Sequence, residues 1–363
     1  MSRDGCSFAS DNVAPMAPEV LAALVAANEG AAPSYGADEH TRRLTALARE
    51  LFETDLAIFP VTTGTAANAL ALAALAPPYG AVYCHEAAHV AVDEAGAPEF
   101  FTGGAKLVGL PSADGKLTPA QLAAPLAQAA AAGVHHVRPA AISVTQATEW
   151  GTVYRPEEVA ALATVAKAHG LRLHMDGARF ANAVARLSCS PAEATWKAGV
   201  DVLSFGATKN GALAAEAVIF FDPALATGFE SRRKQAGHLW SKTRFLSVQL
   251  TALLEDGLWL RHAGHANRMA ERLAAGLRQM SGVRLLQPVE ANEIFAVLPD
   301  RVVAGLARAG FECQGSLAPA GVPDPVVRLV TSFATTPGEA DAWLEAAKAA
   351  TGASRQAERT GRR

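Results

Sequence analysis

The sequence predicts an α/β protein with a mainly parallel seven-stranded sheet, helices on both faces, and a smaller C-terminal α+β domain. Three observations predict it. Seven apolar, strand-like runs alternate with helix-patterned segments up to residue 221, the arrangement that right-handed crossovers turn into a parallel sheet. From residue 241 the pattern changes to long helices and then to short strands. The chain has 363 residues, 50% of them hydrophobic and 18% charged, enough for one large buried core and a second, smaller one.

The seven strand candidates are 56–61 (LAIFPV), 81–84 (AVYC), 105–110 (AKLVGL), 140–145 (AAISVT), 171–175 (LRLHM), 201–205 (DVLSF) and 217–221 (AVIFF). Helical patterns cover 64–75, 118–132 and 156–170 between them. In the last, Pro156 suits a first helical turn and Gly170 suits an end. The stretches SKTRFLSVQLTALLEDG and LWLRHAGHANRMAERLAAGLRQM read as long helices. Short strands are expected near 283–286, 292–298 and 326–330, with helices at 299–309 and 338–350. The expected division is a large domain over 1–255 with an N-terminal arm at 1–30, a small domain over 256–352, and a disordered tail over 353–363.

Several function classes are excluded at this level. A net charge of −3 gives no bias toward nucleic acid. The opening MSRDGCSFASDN lacks the apolar core of a secretory signal. The alanine-rich runs near 66–78 and 119–134 are too short or too polar to span a bilayer. Cys6, Cys84, Cys189 and Cys313 are far apart and form no C-x-x-C pair. A reduced, cytoplasmic protein is the expectation. The final TGASRQAERTGRR reads as a solvated end rather than a nucleic-acid arm.

Lys209 follows an apolar strand and sits among small residues in SFGATKNGALAAEA. A lysine in such a setting loses solvation of its ammonium, and the neutral amine is a nucleophile toward an aldehyde; the other reading is a side chain reaching past the strand end to water. Asp176 falls at the C-terminal end of a strand, where open α/β sheets bind ligands. Gly177 beside it permits close backbone approach, and Arg179 follows three residues after Asp176. A carboxylate there can hold a proton on a pyridine nitrogen, or it can simply cap the next helix. Thr62-Thr63-Gly64-Thr65 leads a strand into a helix, which makes either a phosphate cradle or an ordinary cap. Arg328 lies inside an apolar strand and calls for an anion, a substrate carboxylate or an internal partner. HEAAH at 85–89 matches a zinc-protease pattern. That pattern needs one helix for both imidazoles, and here a strand runs directly into it, so no metal is expected. His89 suits instead a ring stacked on a flat cofactor, or a histidine at a helix cap. An aldehyde, a ring nitrogen, a phosphate and an amino-acid substrate match these groups one by one, and pyridoxal 5′-phosphate (PLP) chemistry presents all four.

FASDN (8–12), YGADEHTRRL (35–44), TTGTAANALAL (62–72), HMDGARFANA (174–183), SFGATKNG (204–211) and VRLVTSF (327–333) occur in an order and spacing that resembles the threonine aldolase / β-eliminating lyase family of fold-type I PLP-dependent enzymes, over about residues 7–345. The resemblance implies roles by position. Lys209 resembles the lysine that carries the cofactor as a Schiff base, Asp176 the partner of the pyridinium nitrogen, and His89 the ring stacked on the cofactor. Gly64, Thr65 and Thr208 resemble the phosphate site. Arg179 resembles the residue between the phenolic oxygen and the substrate carboxylate. Arg328 and Ser10 resemble the groups that hold that carboxylate. The family arginine reaching the phosphate from a neighbouring subunit has no exact match; Lys242, next to Ser241, stands nearest. Many members have serine where Thr208 stands, Gly-Leu-Gly where Asn210-Gly211-Ala212 stands, and a histidine near the substrate where Glu149 or Trp150 stands. The implied activity is cleavage of L-threonine and L-allo-threonine to glycine and an aldehyde, with His89, a water it holds, or Glu149 as base for the β-hydroxyl. L-phenylserine cleavage or another PLP-dependent β-elimination is the alternative. A homotetramer built as a dimer of dimers is implied as well.

Overall fold

The computed structural model describes residues 8–316 and 326–360. The chain divides into two compact units, a larger one of Met16–Glu149 and Val153–Leu260, and a smaller one that takes the chain up to Pro15, Trp150–Thr152 and everything from Arg261 onward.

The large unit holds β1 (Ala57–Val61), β2 (Gly80–His85), β3 (Lys106–Leu110), β4 (Arg138–Thr145), β5 (Arg172–Gly177), β6 (Val202–Gly206) and β7 (Glu216–Phe220). Their order in the sheet is β1-β7-β6-β5-β4-β2-β3. The pairs β6–β5, β5–β4, β4–β2 and β2–β3 are parallel, and β7 runs against both of its neighbours. Six strands thus share one direction, and their C-terminal ends form one edge. All seven strands fall within two residues of the sequence-predicted runs. β2, β6 and β7 are buried along their whole length, as strands covered on both faces must be.

Helices α1 (Pro18–Ala27), α2 (Glu39–Phe52), α3 (Gly64–Leu75), α4 (His89–Val92), α5 (Ala97–Thr102), α6 (Pro119–Ala132), α7 (Pro156–Ala168), α8 (Phe180–Leu187), α9 (Phe229–Gln235) and α10 (Arg244–Leu254) complete this unit. Their starts follow local chemistry. Thr63 caps α3 by accepting from the Ala66 N–H at 3.1 Å, Asp38 caps α2 by accepting from the Thr41 N–H at 2.9 Å, and Pro156 stands at the first position of α7. α3 is apolar almost all round because it is buried; Leu70 packs with Val61, Val218, Phe220 and Phe229. α11 (Leu258–Arg278) contains the boundary between the units at Leu260.

The small unit holds β8 (Arg284–Leu285), β9 (Glu293–Val297), β10 (Gln314–Ser316) and β11 (Val326–Val330) in the antiparallel order β10-β11-β9-β8, with α12 (Asp300–Arg308) and α13 (Pro337–Thr360). Its core gathers Leu273, Leu277, Ile294, Val302, Leu329 and Trp343. The described residues from Phe8 to Pro15 are grouped with this unit. The Val330 N–H donates to the Phe8 carbonyl at 2.8 Å, and the Phe8 ring meets Trp343 edge-on at 6.5 Å. α13 also continues past the helix expected at 338–350, through a segment rich in Arg, Gln, Ala and Glu that favours helix. Residues 361–363 of the expected tail lie outside the described residues. None of the helices among the described residues is long and apolar enough to cross a membrane.

Candidate active site

In the large unit the C-terminal edge of the sheet gathers the predicted polar residues. β5 ends in Asp176-Gly177, and β6 ends at Gly206, followed by a single 3-10 turn, Thr208–Asn210, that carries Lys209. Two glycines let these strand ends approach. A Cβ on Gly177 would lie 2.7 Å from the Ser204 carbonyl oxygen, and one on Gly206 would lie 2.5 Å from that of Ala178. The turn is held from below, since the Asn210 amide donates to the Trp259 carbonyl at 2.9 Å. Lys209 is half-buried, and its ammonium makes no hydrogen bond or ion pair to another described residue.

Asp176 is 2% exposed. Its Oδ1 accepts from the Ala178 N–H at 3.0 Å and its Oδ2 from the Asn68 amide at 2.8 Å. The next helix takes Arg179 as its cap and begins at Phe180, so Asp176 closes a local turn and is not the helix cap. Arg179 is half-buried and stands three residues beyond it.

His89 opens α4, while His85 closes β2, so HEAAH does not put both imidazoles on one helix. The His89 backbone N–H donates to Glu149 Oε1 at 2.8 Å, and its Nδ1 lies 2.8 Å from Glu94 Oε1. The ring remains 40% exposed, so one part of it is open to a partner. The bond to Glu94 holds the imidazole pKa above the usual histidine range, helped by the charge of Asp176 and opposed by burial and by Lys209. His89 is therefore within electrostatic reach of both Asp176 and Lys209.

The cradle at the start of α3 is open. Nothing lies within 4 Å of the position a Cβ on Gly64 would take. The Ala66 N–H is used by the Thr63 hydroxyl and the Ala67 N–H by the Thr63 carbonyl, while Gly64 and Thr65 N–H have no partner among the described residues. Two free N–H groups at a helix N-terminus beside an open glycine suit a phosphate. Thr62, next in line, hydrogen-bonds His238 Nδ1 through its hydroxyl at 2.9 Å. Thr208 stands beside Lys209 in the same turn. Lys242 is exposed ahead of α10, and its ammonium makes no bond to another described residue; it does not join these groups within the large unit.

Three further carboxyl groups, besides Asp176, surround this edge. Glu149 Oε1 accepts from the Thr145 hydroxyl at 2.7 Å as well as from His89. Burial raises its pKa to about 7. Glu216, opposite Gly206 in the β6–β7 pair, accepts from the Ala207 N–H at 2.8 Å and is likewise raised by burial to about 7. Glu94 is raised by burial too. Glu94 Oε2 and Glu149 Oε2 are buried with no hydrogen-bond partner among the described residues. Beneath Asp176, His174 bridges the Ser143 hydroxyl at 2.9 Å and the Ser204 hydroxyl at 3.0 Å across three strands, and burial lowers its pKa to about 4.

Sequence reasoning missed Asn68, Glu94, Glu216 and the Ser143–His174–Ser204 bridge. Signals were present: Asn68 is the one amide in the apolar run GTAANALALAAL, and Glu216 the one charge in AAEAVIFF.

In the small unit, Arg328 lies in the middle of β11. Its Nη2 donates to the Ala9 carbonyl at 3.1 Å, and its Nη1 approaches Glu293 only to 4.0 Å. The internal partner is thus a loose one, and the side chain remains 28% exposed. The same bond brings Ser10 near, whose hydroxyl accepts from the Asn12 N–H at 3.2 Å. Trp150 packs edge-on against Phe295 with ring centres 5.1 Å apart and is 8% exposed.

A lysine on a strand-end turn, an acid at the penultimate position of the neighbouring strand and a helix N-terminus beside an open glycine define a class, and comparison places the chain in it: it belongs to the Beta-eliminating lyase family, whose model matches residues 7–300. The chain is 49% identical over 311 residues to a low specificity L-threonine aldolase of Pseudomonas sp. (strain NCIMB 10558), covering 86% of this chain and 89% of that protein. It is 50% identical over 304 residues to the low specificity L-threonine aldolase of Pseudomonas aeruginosa, covering 84% and 87%. Among solved structures it resembles the threonine aldolase of Leishmania major, with a TM-score of 0.88 and 31% identity over 94% of this chain and 98% of that one. The fold class read from the sequence agrees with that neighbour.

Proposed function

We propose that this chain is a PLP-dependent aldolase that cleaves L-threonine and L-allo-threonine to glycine and acetaldehyde. The observation that carries this reading is the array at one sheet edge: Lys209 and Asp176 on the ends of adjacent strands, with His89 in electrostatic reach of both. The residues fit the cofactor. The open Gly64 cradle takes its phosphate, with Thr65 and Thr208; the buried Asp176 carboxylate suits a protonated ring nitrogen; Lys209 suits its aldehyde. When bound, the cofactor supplies an electron-accepting ring in conjugation with the substrate's α-carbon.

The chain's own residues do the rest. Asp176 keeps the ring nitrogen charged, the kind of preorganised electrostatic stabilisation that is the largest catalytic contribution in many sites. His89, whose ring is partly open, would offer a flat face to the bound cofactor. Arg328, with Ser10, fixes the substrate α-carboxylate, and Arg179 supports the phenolic oxygen and the same carboxylate. His89 or Glu149 accepts the proton of the β-hydroxyl; the Glu149 carboxyl, raised by burial to about 7, takes and returns a proton near neutral pH. Lys242 is the proposed phosphate contact given to a neighbouring subunit, in a homotetramer built as a dimer of dimers. Leu21 and Val25 on α1 and Leu213, all more than half exposed, are apolar surface such an assembly would cover.

The test is direct. Supplied with PLP, the protein gains visible absorption, and borohydride leaves a pyridoxyl adduct on the Lys209 peptide. Glycine and acetaldehyde form from L-threonine and L-allo-threonine faster than benzaldehyde from L-phenylserine. Lys209→Ala loses both absorption and turnover, by at least about a thousandfold. A variant that keeps full aldolase activity, or a wild-type chain with no adduct, ends the reading.

A further inference from the structure

A buried chain of hydrogen bonds joins two of the site residues through two side chains that no sequence motif singled out. Asn68, 2% exposed on α3, donates through Nδ2 to Asp176 Oδ2 and to Glu94 Oε1, each at 2.8 Å. The same Glu94 oxygen lies 2.8 Å from His89 Nδ1, and the Glu94 side chain is fully buried. The amide orientation is fixed by chemistry: an amide nitrogen only donates, and its carbonyl oxygen turned into this place would face two carboxylates. One Asn68 amide thus ties both acids together as acceptors. With Glu94 accepting, the imidazole donates from Nδ1 and keeps its Nε2 lone pair.

We propose that Glu94 is a positioning residue that sets the tautomer and proton affinity of His89, and that Asn68 couples this setting to Asp176. The inference deepens the aldolase reading and rests on it for its catalytic meaning. In that reading His89 takes a proton at Nε2, and the charge that appears on the ring is met at Nδ1 by Glu94, while Asn68 holds Asp176 through Oδ2. The charged groups facing the imidazole are Glu94 and Asp176, which favour the proton, and Lys209, which opposes it. Glu149 meets only the backbone N–H of the same residue. The hydrogen bond to Glu94 is the largest of these influences, and a neutral amide acceptor in its place makes a weaker bond than a carboxylate.

Glu94→Gln keeps the volume and an acceptor oxygen for His89 while removing the charge. On the chain without cofactor, with ¹⁵N-labelled histidine, the wild-type His89 signals show the Nδ1–H tautomer and a titration midpoint above the ordinary histidine range. In Glu94→Gln the midpoint falls by one pH unit or more, a tenfold loss of proton affinity. With PLP bound, kcat for threonine cleavage falls at least tenfold in this variant and the acid limb of its pH profile moves, while KM stays within twofold. Asn68→Ser, which keeps a shorter donor, shows the same changes at smaller size. A His89 midpoint unchanged in Glu94→Gln, or a superimposable pH profile, overturns the proposal. A wild-type chain that does not cleave threonine would sink the aldolase reading instead, and the histidine titration would still decide the role of Glu94.

Discussion

The two units differ in how many charged side chains they bury: the small one buries Asp11 and Glu293, the large one a longer series at one sheet edge. The small unit packs Leu273, Leu277, Ile294, Val302, Leu329 and Trp343 around a four-stranded sheet. The large unit is as apolar under α3, yet it buries Asn68, Glu94, Asp176, His174 and Glu216, and the Oε2 atom of Glu149, along or beneath one sheet edge. A buried polar group costs free energy unless it is well paired, so a concentration of such groups at one edge is a cost that folding alone does not explain. The small unit's interior reads as stability, and the large unit's strand-end edge reads as chemistry.

The sharpest way to break that contrast is in the small unit's core. Trp343 is fully buried among apolar side chains, and Trp343→Ala is expected to lower unfolding free energy by about 3–5 kcal/mol through lost burial and a cavity, read by urea unfolding. Trp343→Phe is expected to cost far less, because the buried indole N–H has no partner among the described residues. Equal losses in the two variants would mean that the indole edge, and not the apolar volume, holds this core.

Next in size is the cost of buried charge in the large unit. Glu216 has a folded-state pKa of about 7, raised by burial from an ordinary value of 4.5. Between these two values the folded chain holds a proton that the unfolded chain releases, so stability falls as pH rises through the window and levels off above about 7. Glu216→Gln, which keeps an acceptor for the Ala207 N–H, is expected to stabilise the cofactor-free protein by roughly 2–3 kcal/mol at pH 8 and by almost nothing at pH 4. His174 has the opposite sign. Its pKa is lowered to about 4 by burial, so its contribution is intact above the ordinary histidine range and is lost as pH falls from about 6.5 toward 4. Urea midpoints measured across pH 4–8 separate the two. A stability that rises steadily to pH 8 in the wild type would contradict the account of Glu216.

How much of this was legible in the sequence follows the range of the interactions. The seven large-sheet strands were readable because each is a short apolar run bounded by turns. β10 was not, because Gln314–Ser316 is a polar three-residue edge strand with no alternation to detect. Lys209, Asp176 and Gly64 were readable because strand-end and helix-start positions are local features. Glu94 and Asn68 were not, since their bonds join residues 26 and 108 positions apart, and no spacing rule connects a turn after α4 to the middle of α3 and the end of β5. The bond from the Val330 N–H to the Phe8 carbonyl is of the same long range, and no local pattern announces it.

Arg328 is where the contrast between the units is weakest, and it supplies the smallest effect. It is a charge set in an otherwise apolar strand of the stable unit, held by one carbonyl and by a carboxylate 4.0 Å away. If it served the fold, replacement by another cation would matter little to catalysis. If it grips a substrate carboxylate, the planar fork matters, because lysine offers a point charge without the bidentate geometry. Arg328→Lys is therefore expected to raise KM for threonine about tenfold, ~1.4 kcal/mol, with kcat changed much less. The urea midpoint should stay near that of the wild type. A variant with unchanged KM and a lowered midpoint would return Arg328 to the fold.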